Sequence, residues 1–594
     1  MTPPSTAHIG VNPDPEFDKH PQKSSIGPPR CSRKVKPSQL KPRLPMTHTD
    51  VLVVGGSLVG LSAAAMLAHQ GISCLCIERH QGTAIHPRAG HFHLRTLEAF
   101  QAIGLEAAVR KTSEAQFDPD GGISAVESLA GREIAQYIAN LNAGVEQYSP
   151  SRRLFMTQQS LEPLLRERAQ ELGAALNYST ELVDFTQDDQ GVTARVRHLD
   201  TGKEGSIRAK YMIAADGNRS PVRHKLGIDM TGHGELSHSV TLYFKADCSR
   251  WLEGRNLGVI YVKNDKLRGF FRMVRSGEAG FLVVNTAGDI SDPQAHNIAD
   301  VITPQRAEAL VRDGIGDATV PIAIEDIARW RAVADVATAF SNQRVFLAGD
   351  AAHVMPPTGG FGGNTGVQDA HNLCWKLALV IKGIAAPALL STYDAERRPV
   401  CALTVEQAYT RYVLRIHPER DRTGMQPLVD DLNMEIGYLY RSAAIAPLKE
   451  DHNLVYEDPR TATGRPGSRT PHLRLNHNGT PCAVLDLAAK DHLLLCGAAG
   501  RKWAEAAAGA AKILGLPLAV HVLNAESPAN TESVRNPTGS LQDVEHQFES
   551  RYQVSSSGAV LIRPDGFIAW KAPSDENARP GYMEDVLACA LGRG

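Results

Sequence analysis

The chain has 594 residues, and its 63 Lys and Arg residues nearly balance its 65 Asp and Glu residues, which gives a formal net charge of −2. This balance excludes the strong positive field that is typical of proteins that bind nucleic acid or acidic membranes. A hydrophobic share of 42% can supply several cores, and the length predicts about three or four domains at roughly 100–200 residues each. The sequence shows no apolar run long enough to span a bilayer and no secretory signal, because its first stretch is polar and Pro-rich.

Cysteine usage excludes several kinds of site. The nine cysteines lie at positions 31, 74, 76, 248, 374, 401, 482, 496 and 589, and no two of them form a C-x-x-C pair. An odd number without such a pair argues against a zinc ribbon, a dithiol redox centre and a secreted disulfide framework. We therefore expect no metal and a cytoplasmic location.

In chain order, the first predicted element is a disordered tail over residues 1–46, which is rich in Pro, Ser and Lys and lacks apolar periodicity. The segments "VLVVGG", "LVGLSAAAMLAHQG" and "ISCLCIER" then predict a strand, a helix of small residues and a second strand, which together make a βαβ unit. "QQSLEPLLRERAQELGA" predicts an amphipathic helix, and "LNYSTELVDFTQDDQGVTARVRHLD" a β-meander. "AKYMIAADGNRSPVRHKLGI" predicts a strand, a turn and a helix.

The second half of the chain changes character twice. From about Ser237 to Ile324, β-type runs such as "HSVTLYFKAD", "LGVIYVKN" and "GFLVVNT" with few helical signals predict a separate antiparallel sheet. A strand, a long glycine loop and a helix starting near Asn364 follow, and a helical connector begins after about Ser391. Beyond Gly464 a last α/β unit is predicted, with strands at "AVLDL", "HLLLCG", "LAVHVLN" and "AVLIRPDGFIAWKA".

The segment "GGSLVG" looks like a phosphate-binding glycine turn, although Ser57 stands where the G-x-G-x-x-G pattern has its second glycine. Gly55 and Gly60 meet the needs for a sharp bend and for close helix–strand packing, and Gly56 adds backbone freedom. Ser57 could cap the helix or donate a hydrogen bond to phosphate. Glu78 ends the second strand 23 residues after Gly55, near the ~20-residue offset of an acid that binds ribose hydroxyls. An acid at this position predicts FAD or NAD.

Two further stretches favour a flavin. "AADGNRS" places Asp216 and Gly217 after a strand, which alone is typical of an ordinary acid-capped turn. "LAGDAAHVMPPTGGFGGNTGVQDAHN" places Asp350 at a strand end, before a glycine-dense loop and a helix. The N-terminus of that helix would suit the negative charge that develops at the N1/O2 edge of a reduced isoalloxazine.

These motifs, in this order, resemble the single-component FAD-dependent aromatic hydroxylases, or group A flavoprotein monooxygenases, over about Asp50 to Pro399. The motifs are the turn with Glu78-Arg79, "HPRAG", "QQSLEPLL", "DGNRSPVR", "GDAAHVMPPTGGFGGNTGVQDAHNLCWKL" and "YDAERRP". The last unit resembles the thioredoxin-like C-terminal domain of the phenol hydroxylase and polyketide hydroxylase branch, which typically lacks a redox dithiol, as here. A packing or dimerisation module without chemistry is therefore expected there.

The resemblance implies an α/β fold with a Rossmann-type FAD-binding domain, an inserted antiparallel β-sheet substrate domain and a C-terminal thioredoxin-like α/β domain. The implied boundaries, after the tail, are 47–236 and 331–400 for the two parts of the FAD-binding domain, 237–330 for the substrate domain, 401–464 for the connector and 465–594 for the last domain.

The resemblance also implies roles for individual residues. Gly55, Gly56, Ser57, Gly60 and Glu78 would hold the ADP half of FAD, and Arg79 would be a further cofactor contact. Arg88 and Gln158 would contact the pyrophosphate and ribityl region; Asp350 would bind the ribityl chain; Gly362, Gly363 and Asn364 would place N–H groups at the pyrimidine edge. Asp216 lies in a motif associated with pyrophosphate and NADPH contacts. Arg88, Arg219 and Arg223 are candidate contacts of the nicotinamide dinucleotide; solvation or salt bridging is an equal alternative for Arg219 and Arg223.

The implied reaction uses NADPH or NADH to reduce FAD, which with O2 forms a C4a-hydroperoxide and transfers one oxygen atom to a phenolic or polyketide-derived substrate. The carbonyl of Pro357 would orient the substrate hydroxyl. His91, His93, Tyr243 and Tyr261 are candidate side-chain bases by type only, and a core or surface position is the simpler interpretation for each. The substrate would lie between the flavin and the inserted sheet, whose residues Tyr243, Phe244, Tyr261, Phe270 and Phe271 suit a flat, apolar ligand. Periodicity does not show which face of the sheet each of them occupies.

Other reactions stay open at this point. Epoxidation, Baeyer–Villiger oxygen insertion and a non-oxygenating flavin dehydrogenase or reductase would use the same fold, whereas the W-x-W-x-I-P signature of the halogenases is absent from the sequence. A non-enzymatic flavin-binding scaffold would not need the Pro-Pro-Thr-Gly-Gly loop. No nucleic acid or membrane partner is expected, and a homodimer is compatible with the resemblance.

Overall fold

The computed structural model describes residues 46–85, 90–255, 257–289, 291–447, 454–524, 534–535 and 540–594. Apart from Met46, the predicted tail lies outside the described residues, and so does Arg88. No helix in these described ranges combines the length and the apolarity that crossing a bilayer would require.

The strands, in chain order, are β1 (Thr47–Val54), β2 (Cys74–Ile77), β3 (His91–Phe92), β4 (Gly122–Val126), β5 (Glu133–Ile138), β6 (Leu154–Phe155), β7 (Ala175–Asn177), β8 (Thr180–Asp188), β9 (Gly191–His198), β10 (Glu204–Ala214), β11 (Met230–Lys245), β12 (Leu257–Lys263), β13 (Leu267–Met273), β14 (Ala279–Ala287), β15 (Ala323–Ala337), β16 (Ser341–Asn342), β17 (Val345–Leu347), β18 (His353–Val354), β19 (Arg474–His477), β20 (Thr480–Ala483), β21 (His492–Cys496), β22 (Leu518–Val522), β23 (Val534–Arg535), β24 (Leu541–Asp543), β25 (Ala559–Ile562) and β26 (Ile568–Ala572).

The α-helices are α1 (Leu58–His69), α2 (Leu94–Ala102), α3 (Glu106–Gln116), α4 (Gln158–Glu171), α5 (Pro221–Lys225), α6 (Ser249–Leu252), α7 (Ile298–Val301), α8 (Pro304–Ile315), α9 (Phe361–Ile381), α10 (Thr392–Ile416), α11 (Asp431–Ile436), α12 (Val484–Ala488), α13 (Arg501–Leu514), α14 (Phe548–Tyr552) and α15 (Pro580–Ala590).

The first sheet has the strand order β16-β17-β10-β1-β2-β7, and the β8–β9 pair joins it through β10. β1 runs parallel to β2 and to β10, and β10 runs parallel to β17. The carboxyl ends of these four strands therefore meet at one edge of the sheet, which is where ligands bind in open α/β sheets. The Rossmann-type architecture predicted from the βαβ pattern is confirmed.

The second sheet has the order β18-β15-β11-β14-β13-β12-β4-β5 and is antiparallel except where β12 pairs with β4. It includes β4 and β5, which come from the segment expected in the first part of the FAD-binding domain, so the predicted limits 237–330 do not enclose it. The alternation signal is weak in these two strands, because every residue of β4 is buried and β5 is mostly exposed. Pairing of β18 with β15, at Asp335↔Val354, attaches the segment after Asp350 to this sheet.

A helix that the sequence pattern did not indicate covers one face of the second sheet. Thr303 caps α8 by accepting a hydrogen bond from the Arg306 N–H, Pro304 occupies the first turn, and Gly316 ends the helix in the left-handed conformation. The apolar side of α8, with Leu310 and Val311, packs with the sheet in one buried cluster. The other face of the sheet is thus the one left for a ligand.

The C-terminal unit contains a three-stranded sheet, β20-β19-β24, and a five-stranded sheet, β23-β22-β21-β25-β26. α13 and α15 contribute to one buried cluster with the larger sheet. The prediction of a strand at "AVLDL" is wrong: this segment begins α12, because the Asp486 carboxylate accepts a hydrogen bond from the Ala483 N–H (2.7 Å) and starts a helical turn. "AVLIRPDGFIAWKA" is a hairpin of β25 and β26 rather than one strand.

Candidate functional site

The glycine turn between β1 and α1 is closed by contacts that exclude a side chain. A Cβ at Gly60 would lie 1.7 Å from the carbonyl oxygen of Gly55, and a Cβ at Gly55 would lie 2.3 Å from that of Ala215. Gly55 also has φ of +103°, which strongly favours glycine. The backbone of the turn therefore packs directly against the end of β10.

Ser57 is tolerated in the turn because its side chain points to α4. Ser57 stands at the N-cap position of α1 but makes no capping hydrogen bond. Its hydroxyl donates to Glu162 Oε1 (2.5 Å) and accepts from Gln158 Nε2 (2.8 Å). The expected cap is thus replaced by a contact with α4, and Gln158 is brought to the turn as predicted for a residue of the same site.

Glu162 is a residue of this region that the sequence analysis missed. It is fully buried and accepts hydrogen bonds from Ser57, from Gln158 Nε2 (2.6 Å) and from the Ala84 N–H (2.5 Å). The i,i+4 pair of Gln158 and Glu162 on α4 was a usable signal, since it places both side chains on one face of the helix.

Glu78 lies at the end of β2 beside the glycine turn. One carboxylate oxygen accepts a hydrogen bond from the Gly56 N–H (2.6 Å), and the other accepts from the His80 N–H (2.9 Å). Arg79 is exposed at the same strand end. The spacing argument for Glu78 agrees with the position that the structure gives this carboxylate.

Asp216 lies at the neighbouring strand end, after β10. Its Oδ2 accepts from the Val222 N–H (3.1 Å), whereas Oδ1 is buried without a hydrogen-bond partner, and burial raises the pKa of Asp216. Arg223 is buried and donates to the carbonyls of Ala351 (3.0 Å) and Asn218 (2.9 Å). It therefore ties two strand-end loops together and is neither solvated nor salt-bridged, whereas Arg219 is exposed.

The second glycine loop ends at α9, which begins at Phe361, three residues earlier than expected. Gly360 precedes the helix with φ of +69°, so Gly362 and Gly363 lie in the first turn. N–H groups of a first turn have no intrahelical acceptor, and the helix dipole makes this end attractive to negative charge. The position agrees with the predicted role of these N–H groups.

Asn364 uses its side chain to join α9 to β3. Its Oδ1 accepts from the His93 N–H (2.9 Å), and its Nδ2 donates to the His91 carbonyl (2.9 Å). His93 Nε2 in turn lies 3.1 Å from the Gly359 carbonyl oxygen. The glycine loop and β3 thus form one hydrogen-bonded wall.

Along the segment that leads to this loop, Asp350 is exposed in a short 3-10 turn (Gly349–Ala351), and Pro357 is exposed. The Pro357 carbonyl accepts a hydrogen bond from the Gly360 N–H (3.0 Å). His353 is fully buried, with Nε2 2.7 Å from Asp369 Oδ2.

His353, Asp369 and Cys401 form a buried group of the kind that can hold a metal ion. The other Asp369 oxygen accepts from Arg397 Nε (2.8 Å). Because a guanidinium and His353 already occupy this carboxylate, the group fits an ion-paired link between α9 and α10 better than a metal site.

The face of the second sheet that α8 leaves uncovered carries a cluster of apolar residues. Tyr243, Phe281 and Val283 are buried there, with the partly exposed Phe270 and Trp330 beside them. Phe244 and Phe271, whose face the sequence left open, are fully buried in the cluster beneath α8 and so do not lie on the uncovered face. Neighbouring residues of a strand point to opposite faces, and the apolar run did not show which face is which.

The four candidate bases lie in different surroundings. His91 is half-buried, and its Nε2 has no hydrogen-bond partner; His93 is buried and bonded to the glycine loop. Tyr261 is buried, and its hydroxyl oxygen accepts from Arg415 Nη1 (3.2 Å). Tyr243 is buried within the aromatic cluster.

Taken together, these groups fit FAD. At one end the carboxylate of Glu78 and the N-terminus of α1 suit an adenosine ribose and a pyrophosphate. At the other end the first turn of α9 suits the electron-rich edge of a flavin ring. The unpartnered Asp216 Oδ1 lies at the same edge of the first sheet, and the aromatic face of the second sheet is linked to that edge through β18.

Comparisons with known proteins agree with this geometry. Residues 48–408 match a family model described as FAD binding domain, and residues 463–594 match one described as aromatic-ring hydroxylase, C-terminal. The chain is 50% identical over 552 residues to the 4-methyl-5-nitrocatechol 5-monooxygenase of a Burkholderia species, which covers 92% of this chain and 98% of that protein. It is 36% identical over 560 residues to the tetracenomycin B2 monooxygenase-dioxygenase of Streptomyces olivaceus, covering 91% and 98%.

Solved structures of flavin-dependent hydroxylases are also similar to this chain. The ternary complex of aklavinone-11 hydroxylase with FAD and aklavinone has a TM-score of 0.84 at 33% identity, covering 93% of this chain and 100% of that chain. The flavin-dependent monooxygenase PieE in complex with FAD and substrate has a TM-score of 0.81 at 30% identity, with the same coverage.

Proposed function

Because this chain belongs to the FAD-dependent aromatic-ring hydroxylases, we propose that it inserts one oxygen atom from O2 into an acidic phenol or catechol. The protein is an FAD-dependent monooxygenase, and NAD(P)H is its co-substrate. The observation that carries the choice of substrate is the 50% identity to 4-methyl-5-nitrocatechol 5-monooxygenase across almost the whole of both chains.

A polyketide phenol is the second candidate. It is supported by the 36% identity to tetracenomycin B2 monooxygenase-dioxygenase and by the likeness to aklavinone-11 hydroxylase. Both substrate classes are flat and aromatic, so the cluster around Phe270 and Trp330 supports either.

In this proposal the adenosine half of FAD lies on the glycine turn. Gly55, Gly56 and Gly60 let the turn pack closely, and Ser57 and Gly60 lie at the N-terminus of α1, which receives the pyrophosphate. Glu78 accepts from the ribose, and Arg79, Arg88, Gln158, Asp216 and Asp350 hold the rest of the dinucleotide. Glu162 acts indirectly, by fixing Ser57 and Gln158. The N–H groups of Gly362 and Gly363 lie at the flavin ring, where they favour the reduced, more negative form. Asn364, whose N–H is the first in α9 to have an intrahelical acceptor, contributes by holding the loop to β3 through its side chain.

The bound flavin would accept the hydride and activate O2, and the protein positions and shields the substrate. The aromatic cluster takes the flat face of the ring and excludes water from it. The carbonyl of Pro357 accepts the substrate hydroxyl; one of its lone pairs is already used by the Gly360 N–H, which fixes its direction. Because the Tyr261 oxygen accepts from Arg415, the Tyr261 O–H is free to donate to a phenolate oxygen.

The test is the reaction of the FAD-loaded protein with 4-methyl-5-nitrocatechol. If oxygen enters at the carbon that bears the nitro group, the substrate monoanion, one O2, one NAD(P)H and one proton give a neutral hydroxyquinone, nitrite, water and NAD(P)+. We expect NAD(P)H oxidation to depend on substrate, nitrite to appear in equal amount, and the product to carry one atom of 18O from 18O2. NAD(P)H consumption that yields only hydrogen peroxide, with no 18O in the organic product, would contradict the proposal.

We further infer a reducing cytoplasm as the location. All eight cysteines in the described ranges are free, and six of them are buried, which suits a compartment where thiols persist. A homodimer stays a prediction.

A further inference from the structure

Arg272 is a buried arginine that lacks the partners such a residue normally has. Its side chain on β13 is 4% exposed, and its Nε and Nη2 are buried without any hydrogen-bond acceptor. By contrast, the fully buried Arg397 and Arg563 donate to the carboxylates of Asp369 and Glu396. Since desolvating a guanidinium without an acceptor is costly, an unpaired one at this depth indicates that its acceptor comes from outside the chain.

The surroundings of Arg272 keep it in place without neutralising it. Its guanidinium carbon lies 4.2 Å from the centroid of the Phe155 ring and 4.7 Å from that of Phe117. A Cβ on Gly90 would lie 3.2 Å from the side chain, so the backbone beside β3 also packs against it. Burial lowers the pKa of Arg272 to about 9, which still leaves it a cation at neutral pH. Two aromatic rings and a glycine therefore hold a charged guanidinium whose Nε and Nη2 have no acceptor among the described residues.

Arg272 points to the same face as the aromatic cluster. It pairs in register with Phe281 of β14, and Phe281 pairs with Tyr243 of β11, so the three residues form one row across the sheet. His91 also packs on the Phe155 ring, with its ring centroid 5.0 Å away, and its Nε2 has no hydrogen-bond partner among the described residues. Burial, with the nearby charges of His93, Arg153 and Arg272, lowers the pKa of His91 well below its ordinary value, so His91 adds a neutral polar group.

We propose that Arg272 is the anion-recognition residue of the substrate site, and that its ligand is an aromatic ring carrying two adjacent oxygen atoms in an ionised form, as in a catecholate. The inference rests on the proposed function and deepens it. Nε–H and one N–H of Nη2 lie on the same edge of a guanidinium and point in parallel, which matches a pair of neighbouring oxygens. The row of Phe281 and Tyr243 receives the ring, and His91 lies within reach of the same ligand.

The test measures binding rather than turnover. Equilibrium dialysis of the FAD-loaded protein, without NAD(P)H, compares 4-nitrocatechol, which is ionised near neutral pH, with catechol, which is not. Arg272→Met should weaken 4-nitrocatechol binding roughly 10- to 100-fold, as for a lost hydrogen bond to a charged group, and should weaken catechol binding much less. Arg272→Lys, which keeps the charge but not the fork, should fall between. Arg275→Met removes an exposed arginine just after β13 and should leave the affinity for both ligands unchanged.

Thermal stability separates recognition from a structural role. Since Nε and Nη2 of Arg272 have no acceptor among the described residues, Arg272→Met should leave the melting temperature unchanged or raise it. If Arg272 only holds Phe117 and Phe155 together, Arg272→Met should lower the melting temperature and weaken the binding of both ligands equally. That result would overturn the proposal. Loss of FAD by Arg272→Met would assign the residue to the flavin and would also overturn it.

A failure of the proposed function looks different. Wild-type protein that prefers 4-nitrocatechol through Arg272 but forms no oxygenated product would contradict the reaction and leave the anion site intact. Wild-type protein that binds both ligands equally would contradict the anion site, whatever its activity.

Discussion

At the scale of single residues, the glycine turn between β1 and α1 requires positions that carry only a hydrogen atom in place of a side chain. Gly60 lies in α1, where alanine would ordinarily be favoured over glycine. Here the helix starts so close to β1 that the carbonyl of Gly55 occupies the space a methyl group would need. The requirement for glycine therefore comes from contact across the turn and not from the conformation of residue 60.

We expect Gly60→Ala to destabilise the protein by about 1–3 kcal/mol, the usual cost of overpacking, and to abolish retention of FAD, because the turn must open to admit the methyl group. The measurements are urea unfolding and the flavin absorbance of the purified protein. Gly509→Ala is the matched control: Gly509 is an exposed glycine of α13, and a Cβ added there would meet nothing within 4 Å, so this change should raise stability by up to about 1 kcal/mol. A Gly60→Ala protein that keeps full flavin would contradict the argument.

Single positions differ in how far the sequence could predict them. Glu78 was predictable because its partner, the glycine turn, is set by a fixed spacing within one βαβ unit. The direction of the Ser57 side chain was not, because its acceptor Glu162 lies 105 residues further along the chain. The unpaired state of Arg272 was equally invisible, since a missing acceptor is a property of packing.

At the scale of elements, the second sheet shows how one strand serves two purposes. Phe270 and Phe271 are neighbours on β13, yet Phe271 is buried beneath α8 and Phe270 lies with Trp330 on the uncovered face. Runs of apolar residues predicted the strands correctly. They could not assign the faces, because the helix that distinguishes them was itself not indicated by the pattern.

The two phenylalanines give a matched pair of substitutions. Phe271→Ala should lower the free energy of unfolding by about 3–5 kcal/mol, as for a large residue lost from a core, and should leave ligand affinity nearly unchanged in the folded protein. Phe270→Ala should change stability little and raise the dissociation constant of the aromatic substrate about tenfold, equivalent to about 1.4 kcal/mol of contact. Urea unfolding and ligand titration check both; the reverse pattern would mean that the faces are assigned wrongly.

Helix α2 carries an acid whose ionisation depends on the C-terminal unit. Burial alone would raise the pKa of Glu98, but the charges of Arg469 and Arg95 lower it to about 2 from its ordinary 4.5. Arg469 Nε donates to this carboxylate (3.0 Å), as does Arg95 Nη1 (2.9 Å). A lowered pKa of an acid means that its stabilising contribution is complete above pH 4.5 and is lost as the pH falls toward 2.

Replacing Glu98 should therefore flatten the acid limb of stability. In the wild type, ionisation of Glu98 contributes about 3 kcal/mol that disappears between pH 4.5 and pH 2; Glu98→Gln should remove this part of the slope. Urea titrations at pH 5 and pH 3 measure it. Glu114→Gln, at an exposed acid of α3, should follow the wild-type profile, and an unchanged slope in Glu98→Gln would show that the ion pairs do not persist in solution.

At the scale of the whole molecule, a buried set of charges joins the C-terminal unit to the helices beneath the flavin loop. Arg563 donates to both oxygens of Glu396 on α10 (2.7 and 2.8 Å), and Lys376 on α9 donates to Glu396 as well (2.7 Å). Arg563 also pairs with Asp565, and Asn372 of α9 contacts Glu396 (2.7 Å). The C-terminal unit thus completes the charge balance of α9 and α10.

Breaking this set should be costly. Arg563→Met leaves Glu396 buried beside one cation in place of two, so we expect a loss of about 3–5 kcal/mol, with earlier release of FAD on heating because α9 begins at the flavin loop. Heating scans that record protein fluorescence and flavin fluorescence measure the loss of stability and the release of FAD. Arg501→Met, which removes an exposed ion pair with Glu505, should cost less than about 1 kcal/mol. Equal effects of the two changes would contradict a structural role for the buried set.

Sequence patterns predicted the division of the molecule into a Rossmann-type part, an inserted sheet and a last α/β unit. They did not predict how the parts are joined, because Glu98 and Glu396 resemble ordinary surface residues until their partners Arg469 and Arg563, 371 and 167 positions further along the chain, are known.

The buried charges also set an order of events during synthesis. Glu98, Lys376 and Glu396 leave the ribosome well before Arg469, Arg563 and Asp565, and until then they have no complete set of partners. The nascent flavin-binding part must therefore keep these groups hydrated, with α2, α9 and α10 not yet closed over them. We therefore expect α9, whose first turn is proposed to lie at the flavin, to reach its final packing only after the C-terminal segment has been translated.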